Sequence, residues 1–426
     1  MPDTRFQPYC VYEARFLFWW GLLLFLCKLG RLRQLDYDLR DLDTEVLDNV
    51  NALARTRQKT LPVSKTLSHF LTHVGAQGLR GFLAVMVRRL IRNKVLDAWR
   101  VEGALVVALD GTGIASFRRR HCPYCLTQTQ NGRTSYFHEV LSGQFVTASG
   151  LTLPVASAFI DNRDERFPGA HRTDTGKQDC ELKAFARLAP ELKQILPQTR
   201  LCLTLDSLYA CGSVMAVCEQ NHWRYLAVFK EGCLPALWRE FQAQLQLCPE
   251  DVRLQPLPDG TRLEHRWING LVHIDSERRE HRVNALLCRE IGPEEPRRFA
   301  WVTNIPVTVE NVIDLAMKGG RHRWKIENSF NMQKNGGYNL EHVYGAEQEL
   351  LKCYYVLLQI AHLILQLVEK GSLLRRAAQQ HGGTVLSVYG SLRNIARRLL
   401  DCLRYRRIPD EALNPTRRIQ IRLDGL

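Results

Sequence analysis

The sequence predicts an α/β protein: a mixed sheet flanked by helices, interrupted by a β-rich insertion, with a helical N-terminal region and a helical, basic C-terminal region. Three observations lead there. Short continuous apolar runs at 104–109 and 201–205 read as strands buried on both faces. Segments with apolar residues at helical spacing lie around and between them, which is the alternation of an α/β layer. Between 235 and 300 the pattern changes to polar-interrupted strands, with turn signals at Asp259-Gly260 and Asn269-Gly270. A length of 426 residues suits two or three structural units, and 45% hydrophobic with 24% charged residues excludes a disordered, low-complexity or small disulfide-stapled chain.

Residues 1–100 carry helical patterns and no strong strand signal. The run FLFWWGLLLFLC at 16–27 falls short of the roughly 20 apolar residues that a spanning helix needs. It also lacks the basic start and small-residue cleavage site of a signal peptide, so it reads as a buried helix, with an interfacial segment as the alternative. At 79–99, Phe82, Val85, Met86, Leu90, Ile91 and Val95 recur at helical spacing, with Arg80, Arg88, Arg89, Arg92 and Lys94 between them. That is an amphipathic basic helix, whose polar face either meets solvent or helps this region to bind DNA. Strands follow at 104–109, 144–148 and 153–160, then a helix at 178–196, a strand at 201–205, a helix near 208–219 and a strand at 225–229. The insertion, 235–297, holds strands at 262–274 and 282–289. A strand at 299–303 and helices at 310–318, 321–334 and 347–369 complete a core formed by 101–234 and 298–370, with 371–426 as the basic tail.

The charge points to a polyanionic partner. Lys and Arg total 58 against 44 acidic residues, a net +14, and the interval 371–426 supplies half of that excess with eleven arginines and four acids. Charge alone does not separate nucleic acid from an acidic membrane surface. The thirteen cysteines are scattered through apolar runs such as Leu201-Cys202-Leu203 and Leu287-Cys288, where a reduced thiol is a small core residue, so a cytoplasmic location is expected.

Two of the apolar runs end in an aspartate, Asp110 in LVVALDGTG and Asp206 in LCLTLDSLYA. In open α/β sheets chemistry collects at the carboxyl ends of strands, so these two carboxylates can converge. Glu327, in RHRWKIEN, offers a third, on a helix where Arg323 lies one turn earlier. Three carboxylates supply hard oxygen ligands for Mg²⁺, the ion that activates water and stabilises a leaving oxygen in phosphoryl transfer. Each acid alone is more simply a turn former or an ion-pair partner. Together they suggest a site.

These motifs resemble those of DDE transposases of bacterial insertion sequences, in the cut-and-paste group marked by a Tyr-x2-Arg-x3-Glu-x6-Lys signature. Arg323, Glu327 and Lys334 have that spacing, while Gly320 stands at the tyrosine position. Asp110-Gly111-Thr112 and Asp206-x-Leu208-Tyr209 resemble the first and second blocks, and Gln178-Asp179-Cys180-Glu181 is similar to a string in such proteins, with no chemistry assigned to it. The resemblance spans about 104–370. It implies a ribonuclease-H-like catalytic domain with a β-rich insertion between the second Asp and the Glu. It further implies that Asp110, Asp206 and Glu327 bind two Mg²⁺ or Mn²⁺ ions, that a water cuts a transposon end, and that the freed 3′-hydroxyl attacks target DNA. Arg323 and Lys334 would then contact the DNA backbone, with a homodimer on double-stranded DNA at the nucleoid and no membrane partner. Lys230 is a further phosphate candidate, and Trp238 and Trp267 are candidates to stack on a flipped base, although core packing is the commoner fate of tryptophan. The alternatives are a nuclease without strand transfer, an actin-like ATPase that uses Asp110-Gly111-Thr112-Gly113 as a phosphate loop, and an inactive DNA-binding remnant.

One more cluster stands apart. Cys122-Pro123-Tyr124-Cys125 follows three arginines, and His138 lies thirteen residues on. Cys-x2-Cys is half of a zinc site that His138, His121 or Cys180 could complete; the rival reading is a turn with two buried thiols.

Overall fold

The computed structural model of the protein describes residues 3–41, 43–162, 178–292, 295–345, 347–413 and 423. Arg417, Arg418 and Arg422 of the expected basic tail lie outside them. The N-terminal region is helical: α1 (Ala14–Leu26), α2 (Leu32–Leu39), α3 (Val46–Ala54) and α4 (Ser64–Arg92). The apolar run is the buried helix α1, with Phe16, Trp20, Leu24 and Phe25 almost wholly enclosed. The predicted helix at 79–99 is the second half of α4 and ends at Arg92. α4 is broken at Gly75, whose φ of 69° is left-handed, and the Glu349 carboxylate accepts a hydrogen bond from Ala76 N at 2.6 Å, capping the helix that restarts there. Two of its basic residues are used internally. Arg80 pairs with Glu191, and Arg88 donates to the carbonyls of Gln194 and Ile195.

The sheet begins with β1 (Leu105–Phe117), β2 (Leu126–Gln130), β3 (Arg133–Val146) and β4 (Thr152–Ile160). After α5 (Glu181–Ile195) come β5 (Leu201–Leu205), α6 (Gly212–Gln220), β6 (Arg224–Val228) and α7 (Pro235–Leu247), then β7 (Val252–Pro256), β8 (Arg262–Ile274), β9 (Glu280–Ile291) and β10 (Arg297–Thr303). All ten strands join one mixed sheet in the order β2-β3-β1-β5-β6-β10-β9-β8-β7, with β4 also paired to β3. β1 is antiparallel to β3 and parallel to β5, which is parallel to β6. β2 and β4 follow one another along the far edge of β3. Alternation divides the core: Leu105, Val107 and Leu109 face one cluster, Val106 and Ala108 the other.

After β10 the chain passes through α8 (Val312–Asp314), a π turn (Leu315–Gly319) and a 3-10 turn (Gly320–Arg323) into α9 (Trp324–Asn335) and α10 (Gln348–Lys370). α10 packs against α1, α4 and β4. The stretches Ser64–Arg92 and Gln348–Gln380 are long and apolar enough for a membrane span, and 78% of the apolar window of the second is buried within the protein. α11 (Ser372–Gln380), α12 (Val385–Tyr389), α13 (Leu392–Tyr405) and α14 (Asp410–Leu413) follow. α13 returns to the N-terminal region, where Asn49 Nδ2 donates to the carbonyls of Leu403 and Arg406, each at 2.8 Å.

Three local expectations are corrected. The first strand does not stop at Asp110; it continues to Phe117 because β3 pairs with it throughout, overriding the Asp-Gly signal. The span 235–297 opens with a helix, α7, which has Pro235 in its first turn and buries Leu237, Phe241 and Leu245. Asn269-Gly270 is not a turn but an irregularity inside β8, where the Asn269 side chain bonds both N and O of Val307.

Candidate active site

Strand register sets the two aspartates. Ala108 pairs with Thr204 across the parallel β1–β5 ladder, so Asp110 and Asp206, two residues further along each chain, stand level. Side chains alternate along a strand, so both aspartates project to the face of Ala108, which packs with Ile326 and Phe330 of α9. Asp206 keeps extended backbone angles beyond the end of β5 and accepts a hydrogen bond from Ser207 N at 2.7 Å. Glu327 comes from α9 on that same face.

α9 is fixed from several directions. Lys325 Nζ donates to the Thr147 and Ala148 carbonyls at 2.6 and 3.0 Å, tying the helix start to the loop after β3. Ser329 and Gln333 join a buried network with Gln359 and His362 of α10. Gly320, at the position of the signature's tyrosine, packs flat on Trp301, and any side chain there would overlap the indole.

Arg323 stands among the acids. Its Nη1 lies 3.3 Å from Asp110 Oδ2, and its Nη2 bonds Glu327 Oε1. Burial pushes the Asp110 carboxyl up to about 6; Arg323 opposes that shift, while Glu181 and Glu327 add to it. Glu181 was not among the expected site residues. The first residue of α5, it sits against Gly111, where a Cβ would collide with its carboxylate, and Tyr209 OH donates to its Oε2 at 2.8 Å. Glu139 is also near: burial and Glu181 raise its carboxyl, and Lys334 opposes them. Glu181 is thus coupled electrostatically to Asp110, and Glu139 to Glu181, although strand alternation puts Gly111 and Glu139 on the face opposite Asp110.

The Gln178-Asp179-Cys180-Glu181 string gains a structural account. Gln178 bonds both N and O of Thr127 in β2, Asp179 pairs with Arg187, and Glu181 reaches the acidic cluster. Glu181 could have been suspected from an acid opening a predicted helix. Its approach to Gly111 is tertiary and leaves no local signal.

Lys334, two turns after Glu327, pairs with Glu341 at 2.7 Å. Lys230 follows β6 and lines an open cleft with Trp238, Arg289 and Arg298, beyond Asp206 along the sheet. Trp267 is buried in the core and has no face to offer a base. Trp238 packs edge-on against Phe229 at 4.9 Å. An exposed aromatic nearby in the chain is Trp324, 51% exposed and next to Arg323 in sequence. Asp110-Gly111-Thr112-Gly113 is extended and paired with β3 from Ser142 to Glu139, so it forms no phosphate-cradling turn.

Carboxylate oxygens of Asp110, Asp206 and Glu327 are the donor type that Mg²⁺ or Mn²⁺ takes, and Glu327 leaves the cluster open to solvent with its side chain 53% exposed. The three are not drawn into a group of ligand atoms all within 4.8 Å of one another. The Arg323 guanidinium occupies the space between Asp110 and Glu327. Neither protein-family models nor curated protein sequences give a match to this chain.

Proposed function

We propose that the protein is a metal-dependent phosphoryl-transfer enzyme acting on double-stranded DNA, a DDE-type transposase that cleaves transposon ends and joins them to target DNA. The observation that carries this reading is that Asp110 in β1 and Asp206 just past the end of the adjacent parallel strand β5 each follow the paired residues Ala108 and Thr204 by two, with Glu327 on α9 bridged to Asp110 through Arg323. The strand order β4-β3-β1-β5-β6, antiparallel on one side of β1 and parallel on the other, supports a ribonuclease-H-like core.

Asp110, Asp206 and Glu327 would hold Mg²⁺ or Mn²⁺, which when bound supplies Lewis-acid polarisation of the phosphodiester and an activated hydroxyl nucleophile. The chain's own groups position the DNA. Arg323, released from its carboxylate partners, offers a planar two-pronged contact to a phosphate. Lys334 lies further along the same helix as a second backbone contact, and Trp324 presents a ring for base stacking. Lys230, Arg289 and Arg298 line a separate basic cleft on the opposite face of the sheet, a further candidate for backbone contact. The partner is then a DNA duplex bound by two copies of the chain, which places the protein at the bacterial nucleoid.

The test uses DNA carrying the sequences that flank the coding region, with Mg²⁺. Wild-type protein is expected to cut at the element's ends and to join the 3′-hydroxyls to a second plasmid. Asp206→Asn should lower cleavage by at least about 100-fold, since metal polarisation is worth several kcal/mol; unimpaired cleavage in that variant overturns the triad. Cleavage without joining would establish a nuclease. A wild-type protein that binds the ends but never cuts them would be an inactive remnant.

A further inference from the structure

We propose that His121, Cys122, Cys125 and His138 form a closed structural zinc site beyond the acidic cluster, where β1, β2 and β3 meet. Cys122 Sγ and Cys125 Sγ lie 3.7 Å apart, and His138 Nε2 is 3.3 Å from the first and 3.5 Å from the second. Tetrahedral zinc with Zn–S near 2.3 Å and Zn–N near 2.0–2.1 Å sets ligand separations of about 3.8 Å for S···S and about 3.5 Å for S···N. The three distances match a tetrahedral edge set, whereas a disulfide would hold the sulfurs at about 2.05 Å. His121 is the nearest fourth ligand: its ligand atom lies within 4.8 Å of those of Cys122 and His138 but not in one group with Cys125, so its exposed ring must shift toward the ion to close the set.

Local structure explains why these residues meet. The Cys122–Cys125 turn closes with Cys125 N donating to Cys122 O at 3.4 Å and leads straight into β2. In β1 the register slips between Gly113 and Ala115, which sets His138 opposite Ala115. Such a bulge re-aims a side chain. Phe117 stacks on His121 at 4.4 Å and meets His138 edge-on at 6.1 Å, holding both imidazoles. Cys125 and His138 are buried while His121 is exposed, so the site sits just under the surface.

Charge also favours the metal. Two thiolates and two neutral imidazoles around Zn²⁺ sum to zero, a combination that a buried pocket tolerates. Four protein ligands leave no open coordination position, so the role is structural. The site staples the exposed Arg118-Arg119-Arg120 run to the edge of the sheet, and Tyr124 O accepts from Asn162 N at 3.1 Å, joining the turn to the end of β4.

The experiment is zinc analysis of the folded full-length chain after dialysis against metal-free buffer. About one zinc per chain is expected, falling at least ~10-fold in Cys125→Ser and His138→Asn but not in Cys180→Ser or Cys402→Ser. Cobalt substitution of the wild-type protein gives a readout independent of whether the variants fold: tetrahedral d–d bands with thiolate-to-cobalt charge transfer are expected. Folded wild-type protein that retains no zinc after incubation with it overturns the proposal. So does peptide mapping that finds a Cys122–Cys125 disulfide in zinc-free folded protein, or cobalt spectra lacking the charge-transfer band.

Discussion

Arg323 gives the acidic cluster its internal counter-charge. With one side chain bridging both Asp110 and Glu327, the site holds these two acids close before any ligand arrives. Arg323→Ala should therefore weaken DNA cleavage on the order of 100–1,000-fold in turnover, the usual effect of losing one positioned charge donor; a steady-state cleavage assay at saturating DNA checks it. His362 governs a different property. It is fully buried, bonded to Ser329 and Tyr338, and burial with Lys28 nearby pushes it down to about 3. In the unfolded chain it takes up a proton below about 6.5. Between those values the unfolded state binds more protons, so stability rises with pH and is lost as pH falls below about 6.5, by up to ~1.4 kcal/mol per unit. Urea unfolding at pH 7.0 and 5.5 should show this loss, and His362→Gln should lessen it, with His265 and His322, each lowered to about 4 chiefly by burial, adding to what remains. Asp110, Asp206 and Glu327 were legible because each sits in a distinctive local string; Glu181, Glu139 and Trp324 were not, because their part in the site depends on which strand or helix lies opposite.

Apolar runs and helical spacing located most elements to within a few residues. They failed where tertiary pairing overruled a local signal. The Asp-Gly-Thr-Gly run looks like a strand end, yet β3 supplies partners past it, and the long β1 ribbon that results could not be read from β1 alone. α7 was missed although Pro235 and the spacing of Leu237, Phe241 and Leu245 announce a helix, because the strand-like text around it dominated. The break in α4 rests on a contact between distant segments. Glu349, at the start of α10, caps the half of α4 that begins at Ala76. Glu349→Ala is expected to cost about 1–2 kcal/mol, the upper range for a helix cap, read as a fall in urea midpoint without change in slope. Gly75→Ala should cost about 1–3 kcal/mol, because a positive φ with extended ψ is a conformation nearly confined to glycine.

At the scale of the molecule, the basic excess is partly internal. Arg80, Arg88 and Arg404 hold helices and loops together, while Arg393, Arg397, Arg406 and Arg407 are exposed on and just after α13. Replacing those four with Gln should reduce the salt dependence of DNA binding by about 0.9 in slope for each phosphate that is no longer neutralised. An unchanged slope in a fluorescence titration across salt concentrations would clear that surface of a role. Deleting the whole of 371–426 is the poorer test, since α13 packs on α3 and its loss would strip α3 of that partner. The docking of α1 on α10 adds a condition on synthesis. The FLFWWGLLLFL helix is made long before α10; α3 and α4 can cover part of it early, but the face that α10 covers stays open until Lys370 has left the ribosome. At about 5–20 residues per second that delay is on the order of tens of seconds. During that time the nascent chain carries a partly uncovered apolar helix, and a product that ends before α10 keeps that face exposed.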